Sequence, residues 1–228
     1  MSEVIIALDF SSKEEVLNFL EPFKDPIMVK IGMELYYSEG PSIVKEIKEK
    51  GHKIFLDLKV HDIPNTAYKA MCALAKLHVD IVNVHCAGGF EMMKKAQEAF
   101  SNSNTLVIGV TQLTSISQEM LENELLIKDN LNDVVISYAK LAERAGLNGV
   151  VCSALESKII HENINDNFKT ICPGIRYGNA NDDQVRICTP SDAKELGCDY
   201  IVVGRLITNA KNPFEMYKQV TKEFKGGQ

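Results

Sequence analysis

A repeated alternation constrains this chain more than any other feature. Short apolar runs, rich in β-branched residues, recur from one end to the other between segments of helical periodicity. Residues 3–9, 26–31, 54–59, 81–85, 106–110, 149–152, 169–172 and 200–203 read as strands. Helices are predicted between them. One opens with the capping box Ser12-x-x-Glu15 and runs to about Glu21. One runs from Pro41 to Lys50 and is stopped by Gly51. Pro64 sits in the first turn of a third, which reaches about His78. Others run from Gly88-Gly89 to about Phe100, from about 132 to 145, onward from about Ala154, and onward from Asn212-Pro213. The polar connection 111–131 has room for a short helix of its own.

The strand runs show little polar alternation, so both faces are covered and the strands are parallel. Eight β-α units in 228 residues predict an α/β fold, a closed (β/α)8 TIM barrel, as a single domain over 1–228. An open doubly wound sheet is the alternative. Against it, no Gly-x-Gly-x-x-Gly follows the first strand.

Composition narrows the function classes. No apolar run reaches 18 residues, and the N-terminus enters a strand with no basic leader, so no membrane span or signal peptide is expected. The six cysteines include no Cys-x-x-Cys pair and read as reduced thiols of a cytoplasmic protein, not as disulfides or zinc ligands. A net charge of −6 argues against a nucleic-acid partner. An anionic ligand then needs a local cluster of positive groups.

In a closed βα barrel, chemistry sits at the C-terminal strand ends. Those ends carry Asp9, Lys30, Asp57 with Lys59, His85, Thr114, Arg176 and Gly204-Arg205. The third strand is the most informative, because a buried apolar run ends there in Asp57, Lys59 and, past the strand, Asp62. Residues two apart share a face, so Asp57 and Lys59 point the same way, with Leu56 and Leu58 opposite. An ammonium held among carboxylates suits proton donation to a carbanion. A lone Asp-x-Lys pair is more often a structural salt bridge, and its place at a strand end changes those odds. His61 is turned off the Lys59 face and reads as structural or interfacial, and His85 as a packed, hydrogen-bonded histidine. Gly204, Arg205 and Arg176 stand where barrel enzymes commonly hold a phosphate. The polar segment after Arg176 includes Gln184, whose amide is able to donate to it.

Together, Ala7-Leu8-Asp9, Val29-Lys30, the stretch from Asp57 through Lys59, Asp62, Ile63 and Pro64 to Thr66, Val110 to Ser115, Pro173 to Arg176, and Val203 to Arg205 resemble the orotidine 5′-monophosphate decarboxylase family. The match runs from residue 3 to about 217. The resemblance implies decarboxylation of orotidine 5′-monophosphate to uridine 5′-monophosphate, without metal or organic cofactor, in a homodimer of barrels. It implies Lys59 as proton donor to C6, and Asp57 near the departing carboxylate, hydrogen-bonded to Lys59. Asp62 and Thr66 would complete the neighbouring subunit's site. Asp9 and Lys30 would hold the ribose, Thr114 would lie near the pyrimidine, and Pro173 would line the pocket around the carboxylate. Arg176, Gln184, Gly204 and Arg205 would bind or enclose the phosphate. The segment Ser101–Thr105 is short for the family, on the side of the barrel away from the site. Two alternatives stay open: a Mg²⁺-dependent sugar-phosphate enzyme with the same Asp-Lys-Asp array, such as 3-keto-gulonate-6-phosphate decarboxylase or hexulose-phosphate synthase, and a non-catalytic phosphate-binding barrel.

Overall fold

The computed structural model describes residues 3–178 and 188–226. Eight parallel strands close on one another in chain order. They are β1 (Glu3–Ala7), β2 (Met28–Ile31), β3 (Lys53–Val60), β4 (Ile81–His85), β5 (Leu106–Val110), β6 (Gly149–Val151), β7 (Lys169–Cys172) and β8 (Tyr200–Val203). The β1–β8 ladder, from Glu3↔Tyr200 to Ile6↔Val203, seals the cylinder. The expected (β/α)8 barrel is therefore the observed one.

Helices wrap the outside: α1 (Lys13–Leu20), α2 (Met33–Glu39), α3 (Pro41–Glu49), α4 (Pro64–Ala75), α5 (Gly89–Glu98), α6 (Gln118–Asn123), α7 (Leu131–Arg144), α8 (Ala154–Asn163), α9 (Pro190–Glu195), α10 (Arg205–Thr208) and α11 (Pro213–Lys225). Ser12 and Glu15 form the expected capping box on α1, and Pro64 is the first residue of α4. Helix α6 occupies the polar connection and is capped by the Ser117 side chain. Helix α9 is the one that the eightfold count requires after β7, while α2 and α10 are additional to that count. Helix α2 is hidden by its two tyrosines, which read equally well as strand residues, and by Gly40. That glycine, at φ +65°, ends α2 and starts α3 at a new angle.

Two apolar layers follow from strand alternation. Val4, Ile6, Val29, Leu56, Val82 and Val107 face outward and pack under the helices. Ile5, Met28, Phe55, Ile81, Ile108 and Ile171 face inward and fill the barrel. Advancing each inward residue by two positions keeps the same face and climbs one layer towards the C-terminal rim. That step leads from Met28 to Lys30, from Phe55 to Asp57, from Ile81 to Asn83 and from Ile171 to Pro173. The barrel thus brings Lys30, Asp57 and Asn83, from three neighbouring strands, into one layer with Pro173 above an apolar floor.

Candidate active site

The rim layer opens into a cleft of about 680 Å³. Asp9, Lys30, Asp57 and Lys59 stand on one side of it. Lys59 Nζ lies 2.8 Å from Asp57 Oδ1. Lys30 Nζ lies 3.6 Å from Asp57 Oδ2 and 3.0 Å from Asp9 Oδ1. Asp57 thus stands between two ammonium groups, and Lys30 between two carboxylates. Gly32 makes room for this arrangement, since a Cβ there would lie 3.0 Å from Lys30 Nζ.

Asp57 is only 8% exposed. Burial alone would push its carboxyl pKa up. The Lys30 and Lys59 charges, with hydrogen bonds from Lys59 and Asn83, outweigh that and hold it below the usual carboxylate range. The carboxylate is therefore ionised at neutral pH.

The geometry depends on a break in the β3–β4 ladder. Leu56 pairs with Val82 and Val60 with Val84, so residues 57–59 bulge opposite Asn83 alone. Lys59 takes a left-handed backbone, φ +49°, which costs a lysine about 1–3 kcal/mol. The Asn83 side chain spans the gap. Its Oδ1 accepts the Lys59 backbone N–H at 2.7 Å, and its Nδ2 donates to Asp57 Oδ1 at 2.6 Å. Two residues further along β4, His85 stacks on His61, with ring centroids 5.4 Å apart. Its Nδ1 accepts the Ala87 N–H at 3.2 Å. Burial, then the neighbouring His61 and Lys59, lower the His85 pKa, so the ring is neutral at pH 7.

The opposite wall comes from β7 and β8. Pro173, Gly174, Arg176, Gly204 and Arg205 line it, and Thr114 lines the cleft from the segment after β5. Reciprocal backbone bonds, Arg176 N–H to Cys188 O and Cys188 N–H to Gly174 O, fix the base of the Arg176 segment. Tyr177 donates its hydroxyl to Glu223 Oε2 at 2.6 Å and ties that segment to α11. Gln184 lies outside the described residues.

Asp62 and Thr66 do not join this cleft. Both are exposed, and Asp62 Oδ1 accepts the N–H of Ile63 at 2.7 Å. Asp62 borders a separate, shallower recess with His61, Ile63, Pro64, Ala87 and Gly88. Among the described residues, no group of three or more His, Cys, Asp or Glu side chains is arranged to hold a metal ion. All six cysteines are free thiols, five of them buried.

Sequence reasoning missed Asn83, Gln112, Ser115 and Tyr177, of which all but Asn83 line the cleft. For Asn83 a signal existed, because an asparagine in an otherwise apolar strand needs partners. For the other three, only the loop geometry brings them to the cleft.

A family model described as orotidine 5′-phosphate decarboxylase / HUMPS matches residues 2–220. The chain belongs to this family. An orotidine 5′-phosphate decarboxylase of Staphylococcus aureus (strain Mu3) is 52% identical over 223 residues, which cover 96% of this chain and 97% of that protein. The crystal structure of the orotidine 5′-phosphate decarboxylase from Lactobacillus acidophilus matches with a TM-score of 0.88 at 42% identity, over 98% of this chain and 99% of that one. The enzyme of the same name from Pyrococcus horikoshii OT3 matches with a TM-score of 0.79 at 27% identity, over 98% of this chain and 99% of that one. Within the orotidine 5′-phosphate decarboxylase / HUMPS family, the barrel thus persists while most side chains change.

Proposed function

We propose that this chain is an orotidine 5′-phosphate decarboxylase that forms uridine 5′-monophosphate without metal or organic cofactor. The observation that carries the reading is the Asp57 carboxylate, buried and ionised between two ammonium groups. It faces, across the cleft, a wall that bears Arg176 and Arg205. The length of the match to decarboxylases supports the same reading.

The C6–carboxylate bond of orotidylate breaks, its electron pair stays on C6, and CO₂ departs. The Lys59 ammonium then gives C6 a proton and is reprotonated from solvent. No adjacent carbonyl delocalises the carbanion, so the protein must stabilise it. An ammonium about 3 Å away contributes roughly 5–6 kcal/mol at an effective dielectric near 20. Enzymatic rate enhancements require about 8–23 kcal/mol. The remainder comes from binding energy in the phosphate and ribose, used to hold the reacting geometry.

In this reading Asp57 holds the Lys59 ammonium in place. Asp9 and Lys30 take the ribose hydroxyls, and Thr114 lies at the pyrimidine. Pro173 lines the pocket around the departing carboxylate, and Arg176, Gln184, Gly204 and Arg205 take the phosphate. Asp62 and Thr66 project from the exposed edge of the barrel, beside Ile63, which is 68% exposed. They reach the site of a second copy in a two-fold homodimer, where each copy completes the other. The free thiols fit a cytoplasmic enzyme.

The test follows the loss of ultraviolet absorbance of orotidine 5′-monophosphate in excess chelator, for wild type and Lys59→Ala. Chelator-insensitive turnover that disappears in Lys59→Ala is the expected result. Turnover of a keto-sugar phosphate only on restoring Mg²⁺ would refute the assignment.

A further inference from the structure

Asn83 is 1% exposed, inside the barrel, on a strand whose other inward residues lie at Ile81 below and His85 above. A buried amide is retained only where its donor and acceptor are both used. Both are used here, on two different parts of one catalytic pair. The partners fix the orientation of the amide: a backbone N–H only donates, and an ionised carboxylate only accepts. So the oxygen faces Lys59 N–H at 2.7 Å and the nitrogen faces Asp57 Oδ1 at 2.6 Å. Asp57 Oδ1 is also the oxygen that Lys59 Nζ contacts at 2.8 Å.

The bulge explains why a side chain is needed. Three residues of β3 oppose one residue of β4, so the Lys59 N–H has no ladder acceptor there. The Asn83 carbonyl takes that place and stabilises the left-handed backbone at φ +49°. The Asn83 amide nitrogen at the same time fixes the rotation of the Asp57 carboxylate. A single side chain thereby sets both the root and the tip of Lys59.

We infer that Asn83 is a positioning residue for proton delivery, clamping the 57–59 bulge so that the Lys59 ammonium and the Asp57 carboxylate share one orientation in the cleft. This rests on the decarboxylase reading for its kinetic consequence, but not for its structural one. Leucine at 83 has nearly the same size and neither hydrogen bond. Aspartate at 83 is a sharper probe. When ionised, it places a second carboxylate against Asp57; when protonated, its O–H donates to Asp57 and its other oxygen accepts from Lys59, as asparagine does.

The experiment compares wild type, Asn83→Leu and Asn83→Asp in orotidylate turnover from pH 5.5 to 8.5, and adds crystal structures of both variants at high pH. In Asn83→Leu, kcat is expected to fall about 100-fold with KM within about threefold, as for a small misplacement of a reacting group. In Asn83→Asp, kcat relative to wild type is expected to be low at pH 8 and to recover as pH falls. Equal pH profiles for Asn83→Asp and wild type, or a loss confined to KM, would overturn the inference. So would crystal structures in which Lys59 keeps its left-handed backbone and its contact with Asp57. If Asn83→Leu fails to fold, the aspartate profile decides. Should wild type itself prove inactive on orotidylate, the functional reading falls, and the crystal structures still decide the role of Asn83.

Discussion

Asp57→Asn keeps the shape of the side chain and removes its charge. The carboxylate sits 2.8 Å from Lys59 Nζ and 3.6 Å from Lys30 Nζ. At an effective dielectric near 20, those separations correspond to gross attractions of about 6 and about 5 kcal/mol. Desolvation of the carboxylate opposes them, and unpairing a buried ion typically costs about 3–5 kcal/mol net. The lysines retain some contact with water, with side chains 28% and 12% exposed. The expected loss of stability is therefore at the low end, about 3 kcal/mol. In a chain of this size that lowers Tm by about 6–12 °C. An ammonium no longer held costs turnover as well; 3 kcal/mol corresponds to about 100-fold in kcat. Thermal melts and orotidylate kinetics measure both. A variant that melts within about 2 °C of wild type, or whose kinetic loss lies wholly in KM, would refute the view of Asp57 as the holder of Lys59.

The other predictions concern pH, space and assembly. Because the folded pKa of Asp57 lies below its ordinary value of 3.8, its stabilisation is complete above that value and is lost as pH falls through the lower folded value. Urea melts should show the gap between wild type and Asp57→Asn closing as pH drops below about 4; a constant gap would contradict this. Gly32→Ala places a methyl against Lys30 Nζ and near Asp9 Oδ1. It should raise KM severalfold while leaving Tm nearly unchanged, and an unchanged KM would remove Lys30 and Asp9 from substrate binding. Co-expression of Lys59→Ala with Asp62→Ala should restore activity that neither homodimer has, because each mixed dimer contains one intact site. No recovery in a purified mixed dimer would count against a shared site.

Much of the fold was legible because parallel strands buried on both faces produce uninterrupted apolar runs, as at 54–56 and 106–110. The capping box at Ser12 and Glu15 and the proline at 64 marked helix starts for local chemical reasons that no packing overrides. Helix α2 escaped because its local pattern is ambiguous and only packing on the barrel decides it. In the site, the 2.8 Å contact of Asp57 and Lys59 lay within one short stretch and was readable there. The link from Lys30 to Asp57 was not, since it joins neighbouring strands 27 positions apart. The bulge was not readable either, because strand alternation alone places Asp57 and Lys59 on one face without any left-handed residue.

The amino-acid sequence by itself determined the eightfold alternation, and with it a barrel whose rim gathers the ends of every strand. It also determined which charged residues stand at that rim, since hydrophobic periodicity is a local property. Only the tertiary structure decided how those charges pair. It set Asp57 between two lysines, turned Asp62 away from the cleft within its own chain, and gave Asn83 two partners across a broken ladder. Such pairing depends on register, bulges and distances between strands, which arise only once the barrel has closed.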